Sequence, residues 1–210
     1  MDGFVELAGT VLRYAGLAAL PLLGLPVLVL AFPTQFAGFT RGLSKNLDRI
    51  SGAALNIACL AAFLIILIQL SAVLLRYVFG LSFSWLNDSV IFSFAMIFML
   101  GAAGTLREDG HVRVDILRGR FTQKQRAAVD LIGALLFIAP IGILILYAGS
   151  GLIARSWAGL ETFNESDGLP VKYLFKTLVP LFAILLIGQG LSQALKSALV
   201  LREPDPEAAA

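Results

Sequence analysis

Four long apolar runs constrain this chain more than any other feature: Ala53 to Leu75, Ser89 to Leu106, Ala127 to Gly149 and Tyr173 to Leu195. At about 1.5 Å of rise per residue, each is long enough to cross a hydrocarbon layer of roughly 30 Å as a helix. Their apolar residues surround the helix instead of forming one stripe, as in a segment solvated by lipid. Backbone groups left unpaired in lipid are too costly, and no barrel-like alternation is present, so helices are required. Only 14% of the residues are charged against 58% apolar, too little charge to cover a soluble surface of this size. The reading is an all-α integral membrane protein with four core transmembrane helices.

A fifth apolar stretch, Tyr14 to Phe32, is interrupted by Pro21 and Pro26 and closed by Pro33. Membrane helices tolerate proline when neighbours satisfy the freed carbonyls. A secretory signal is the competing reading, because Arg13 precedes the run. Asp2 and Glu6 make a poor n-region, however, and Thr34-Gln35-Phe36 is no small-residue cleavage site. An extra, proline-containing N-terminal helix is therefore expected, either spanning or interfacial. The resulting organisation is 1–52 for this helix and a basic connection, 53–199 for the four-helix domain, and 200–210 for a short tail.

Orientation follows from Lys and Arg. The Pro33–Gly52 connection, the Arg107–Arg126 connection and the tail together hold eleven basic residues, against five on the opposite side (Arg13, Arg76, Arg155, Lys172 and Lys176). The first group is expected to face the cytoplasm, which places the C-terminus inside. Tyr77, Phe83 and Trp85 at one boundary, and Tyr147, Trp157 and Tyr173 at others, suit the headgroup level.

Several classes of function are excluded by what the spans lack. A net charge of +2, with no basic stripe, gives no reason to expect a nucleic-acid partner. His111 is the only histidine, so one chain cannot supply two histidine ligands to a haem. No phosphate-binding glycine loop is present, and no carboxylate relay crosses the bilayer. Cys59, alone in an apolar run, reads as a small buried side chain. Asn56, Gln69, Ser71, Ser93, Gln189 and Ser192 read as interhelical hydrogen-bonding groups. Ala54, Ala58 and Ala62, and likewise Gly190, Ala194 and Ala198, recur every four residues and would let helices approach closely. The segment Arg107-Glu108-Asp109-Gly110-His111-Val112-Arg113-Val114-Asp115-Ile116 interleaves apolar and charged residues, as a strip lying along the membrane surface would.

Arg76-Tyr77-Val78-Phe79-Gly80, Trp85 with Asn87-Asp88, Gly101-Ala102-Ala103 and the Arg107, His111, Val112, Val114, Asp115 core together resemble the small, DctQ-like membrane subunit of tripartite ATP-independent periplasmic (TRAP) transporters. The similarity runs from about Ala53 to Leu199. Gly168-Leu169-Pro170 and a lysine-flanked last helix with Pro180 look like the mannitol/chloroaromatic branch. Two departures stand out: Asn87 replaces the first of two usual acids, and the Tyr14–Phe32 stretch is extra.

The resemblance implies a bacterial inner-membrane component of a sodium-coupled, binding-protein-dependent carrier of organic anions such as carboxylates and 2-oxo acids. Its partners would be a large elevator subunit holding the sodium and substrate sites, a periplasmic binding protein, and membrane lipids. The chain itself would hold no cofactor and catalyse no reaction. Arg76, Trp85, Asp88, Arg107, His111 and Asp115 become candidate assembly or docking residues, with Arg76 and Asp88 able to pair at the outer edge. The alternative reading is an anchor or assembly subunit of another inner-membrane complex. Asp115→Ala is expected to lower the yield of assembled complex more than substrate affinity, measured by co-purification and uptake; normal assembly would count against a role for this segment.

Overall fold

The computed structural model describes residues 9–11, 14, 17, 20, 21, 23–110, 119–163 and 167–202, together with the backbone but not the side chains of 33 and 34. Among the described residues all regular structure is helical. In order these elements are α1 (Leu25–Ala31), α2 (Pro33–Phe79), α3 (Ser84–Arg107), α4 (Gln123–Gly133), a π-helical turn (Ala134–Ile138), α5 (Ala139–Ala158) and α6 (Lys172–Arg202). Helix α4, the π turn and α5 form one rod, Gln123–Ala158. With α2, α3 and α6 it makes four helices long and apolar enough to cross a membrane, as the four runs predict.

The helices extend well beyond the apolar runs. At 47 residues, α2 is about 70 Å long. The expected Pro33–Gly52 connection is therefore itself helix, continuous with the first span. Pro33 sits at the start of α2, where its missing N–H costs nothing. Arg41, Lys45 and Arg49 recur every four residues on an exposed face, while Thr40, Ser44 and Ser51 lie buried. This extension is amphipathic, unlike the lipid-solvated part that follows. Gly80, at φ 68°, ends the helix in the left-handed region, and the Leu81 N–H returns to the Leu75 carbonyl at 3.0 Å.

The π turn has a local cause. Pro140 has no N–H for the Leu136 carbonyl, and its ring crowds that carbonyl. The ladder slips by one residue, so the Ala139 N–H reaches the Ala134 carbonyl five positions back. The rod continues past Gly149 to Ala158, which leaves Tyr147 about three turns inside its end instead of at a boundary.

Helix α6 is the centre of the bundle and packs against every other helical element. Its Gly190, Ala194 and Ala198 are buried within the chain, as are Ala54 and Ala58 of α2. Residues Val29 of α1 and Leu191, Leu195 and Ala198 of α6 form one core cluster. Ala54, Ala58, Leu100, Ala103, Leu178 and Leu185 form another, where α2, α3 and α6 meet. By contrast, Cys59 is exposed on α2 and not buried as expected. Its helix face looks away from the bundle, where lipid is as apolar as a core.

The N-terminal segment touches both ends of the bundle. Gly9 lies against Ala154 near the end of α5. At the far end of the segment, the Leu30 carbonyl accepts from Arg202 at the end of α6. Since α5 and α6 run in opposite directions, these contacts lie at opposite ends, which favours the spanning arrangement over the interfacial one.

Helices α2 and α3 pack tightly at Gly104. A Cβ there would meet the Leu55 Cβ at 2.5 Å, whereas one on Gly101 would sit 3.6 Å from the Ala58 Cβ, an ordinary contact. Gly104→Ala should therefore cost about 1–3 kcal/mol through overpacking, and Gly101→Ala should be nearly neutral. Thermal unfolding of both variants in one detergent checks this; equal midpoints would refute the close approach.

Candidate functional site

The ionisable groups gather at the two ends of the bundle. At the basic end, three helices converge on Asp48 of α2. Its Oδ1 accepts from Ser192 Oγ at 2.7 Å and Gln189 Nε2 at 3.2 Å, both from α6, and its Oδ2 pairs with Lys196. Its backbone carbonyl accepts from Arg107 of α3 at 2.9 Å. The guanidinium lies over Gly52, where any Cβ would collide with it. Arg107 also pairs with Glu108, but that contact is largely exposed and worth little. The bond to Asp48 matters more, because it ties the end of α3 back onto α2.

Arg107 thus bonds between two helices of this chain. His111 and Asp115 lie outside the described residues, as do Val112, Val114 and Ile116 of the same strip.

At the other end, the α5–α6 link folds over the start of α3. Asp167 Oδ2 accepts the Ser84 N–H at 2.9 Å, supplying the helix cap that Phe83 cannot. In the reverse direction, the Leu169 N–H donates to Asp88 Oδ2 at 3.0 Å. The Ser84 backbone bond holds the Asp167 carboxyl below its usual range, with a further bond from the Ser84 side chain. Asp88 is buried and committed to this loop, so it does not pair with Arg76. Arg76 has no hydrogen-bonding or ionic partner among the described residues. It lines a cleft of about 170 Å³ with Gln69, Ala72, Val73, Ser82 and Asn87. Trp85 is 43% exposed and packs beside Phe83 at a ring separation of 6.1 Å, which suits a headgroup-level anchor.

Glu161 is the hub of the same link. It pairs with Lys172 at 3.0 Å and with Lys176, and it accepts from Ser156 Oγ at 2.8 Å. The Lys176 ammonium, then Ser156 and Lys172, bring its carboxyl down to about 2 from an ordinary 4.5. Nearby, Trp157 Nε1 donates to Thr177 Oγ1 at 2.9 Å and its ring meets Tyr173 edge-on at 4.9 Å. Lys172 and Lys176, counted in the sequence among the basic residues of this side, both pair with this one carboxylate.

Asp48 and Glu161 are the residues that sequence reasoning missed as structural centres. A signal for Asp48 was present: Ser44, Asp48 and Ser51 share one face of a helix otherwise read as a connection, and Lys196 stood alone on a distant helix. Gln189 and Ser192 do make the interhelical bonds expected of them. Ser71 bonds instead to its own helix, at the Leu67 carbonyl. No group of three or more His, Cys, Asp or Glu side chains able to hold a metal occurs among the described residues.

Compared with known protein families, residues 64–199 match the family described as tripartite ATP-independent periplasmic transporters, DctQ component. No curated protein and no solved structure matches the chain.

The depressed Glu161 carboxyl gives a pH dependence of defined sign. A group whose folded value lies below its unfolded one stabilises the fold above the unfolded value and loses that effect as the pH falls. The contribution of Glu161 should be complete above about 4.5 and fade towards and through about 2. Trp157 fluorescence during an acid titration should show a transition in this window that Glu161→Gln lacks; identical curves would remove Glu161 as the hub.

Proposed function

We propose how this chain, which belongs to the DctQ component family of tripartite ATP-independent periplasmic transporters, contributes to uptake: as a static buttress beside a larger moving subunit. It is a multi-pass membrane protein and a transporter component, not an enzyme. In this reading the large membrane subunit holds the sodium and substrate sites and moves as an elevator. A periplasmic binding protein delivers the substrate, an organic anion such as a carboxylate or 2-oxo acid. The present chain stays fixed, widens the scaffold and helps seat the binding protein at the end carrying Trp85 and the α5–α6 link. The membrane is the bacterial inner membrane, with the C-terminus in the cytoplasm and the N-terminus outside.

The observation that carries this reading is the unpartnered face of α2. Only 11% of its apolar window is buried inside the bundle, against 44% for α6. Leu60, Phe63, Leu67 and Leu70 form an exposed stripe at helical spacing. A second support is the distribution of charge. Among the described residues Asp48, Arg107 and Lys196 cluster at one end, and Arg76, Asp88, Lys172 and Lys176 at the other, leaving no stepping stones for an ion between them. A chain built this way supplies a wall and leaves conduction to its partner.

Leu67→Trp tests the wall. Lipid accommodates the larger ring, so helix content and yield of the chain alone should not change. A packed interface would not accommodate it, and recovery of the large subunit by co-purification should fall several-fold. Undiminished recovery, with normal uptake, would place the interface elsewhere.

A further inference from the structure

The cleft beside Arg76 is formed where the last turns of α2 meet the start of α3, and its lining combines polar and apolar side chains. Arg76, Ser82 and Asn87 are polar and lie near the helix ends; Ala72, Val73 and Leu86 are apolar, and Gln69 marks the depth of the cleft. Gln69 lies seven residues before Arg76 on α2, about 10 Å nearer the middle of the bilayer. The lining holds one cation and no carboxylate. Among the described residues, the two nearby acids are both engaged by backbone N–H groups: Asp88 by Leu169 and Asp167 by Ser84. Asn87 is decisive for the charge, because an acid at that position would bring a carboxylate into the cleft with Arg76.

We infer that this cleft binds an anionic phospholipid, with Arg76 holding the headgroup phosphate and the apolar wall from Val73 towards Gln69 receiving the upper part of an acyl chain. Guanidinium suits this task, since its planar fork matches phosphate oxygens and its charge is never lost. The depth of the cleft selects the ligand. A free phosphate or soluble phosphate ester would use only the mouth, and a protein docking from the aqueous side does not reach the Gln69 level. A lipid uses both parts at once. The absence of a carboxylate from the lining favours a net-anionic headgroup, which needs no partner for a second, cationic group.

Native mass spectrometry of the full chain in detergent, titrated with phosphatidylglycerol or phosphatidylcholine, tests this directly. Phosphatidylglycerol should bind about tenfold more tightly than phosphatidylcholine, the magnitude of one charge-assisted contact. Arg76→Gln should lose that preference. Asn87→Asp should lose it too while keeping Arg76. That change is nearly isosteric, and it adds an acid to the first turns of α3, where the helix dipole favours one, so folding should be unaffected. Arg41→Gln, which removes the same charge at the opposite end, should behave like the unaltered chain. Equal binding of the two lipids, or an unchanged preference in Asn87→Asp, would overturn the inference. Displacement of the lipid by glycerol 3-phosphate at equal concentration would also overturn it, by making the site one for a soluble phosphate ester.

Discussion

In a hydrocarbon solvent, apolar side chains gain little by leaving lipid for one another, so these helices must be joined by close approach and by polar contacts. Helix α6 meets both requirements. Its second half presents Gly190, Ala194 and Ala198, small enough for neighbouring backbones to come near, and beside them Gln189, Ser192 and Lys196, which reach Asp48. The exposed Lys196 contact is worth about 1 kcal/mol or less by itself. The hydrogen bonds from Ser192 and Gln189 are of similar size in membrane proteins. Their combined effect is directional: they fix the rotation and register of α2 against α6, which apolar packing between smooth helices would leave loose. Arg107 then fixes α3 by the same residue, so one carboxylate-bearing position sets three helices.

The opposite end solves a different problem. There the chain must turn from α5 to α6 and cover the first N–H groups of α3, which have no partner inside their own helix. The α5–α6 link does both, exchanging hydrogen bonds with the start of α3 through Asp167 and Asp88 while Glu161 gathers Lys172 and Lys176 at the entrance to α6. Carboxylates that look available for docking in the sequence are consumed by this work. Among the described residues exposed at this end are Tyr77, Trp85 and Arg76. That composition suits a membrane boundary.

The spans were legible because lipid solvation imposes one pattern on a whole segment, and the runs beginning at Ala53, Ser89, Ala127 and Tyr173 all lie on helices. Their ends were not. Arg41, Lys45 and Arg49 read as a connection because charge usually marks a loop, but spaced four apart they mark one face of a helix that continues past the membrane boundary. Cys59 was misplaced for a related reason: apolar neighbours announce lipid or core equally well, and only the packing of α2 tells which. Asp48 was overlooked because its meaning depends on Lys196, 148 residues away in sequence. Local pattern carries no information about such pairings. The family, by contrast, was readable in Arg107, His111 and Asp115, although the last two lie outside the described residues.

The uneven burial of the four long helices bears on how such a subunit works beside a moving neighbour. A helix that slides needs a surface without deep interlocking; a helix that supports needs to be held rigidly from behind. Helix α2 is held from behind near the basic end. Asp48 locks it to α6 and Arg107 to α3, and the close contact of Gly104 with Leu55 lies about two turns further along. Its outward face carries Leu60, Phe63, Leu67 and Leu70 with no charge among them. Rigidity on one side and a largely apolar surface on the other follow from the same sequence, because Ser51, Ala54, Ala58 and Ala61 of α2 fall on the face turned into the bundle. A partner pressing on the outward face therefore meets a helix that can transmit force into the bundle without giving way.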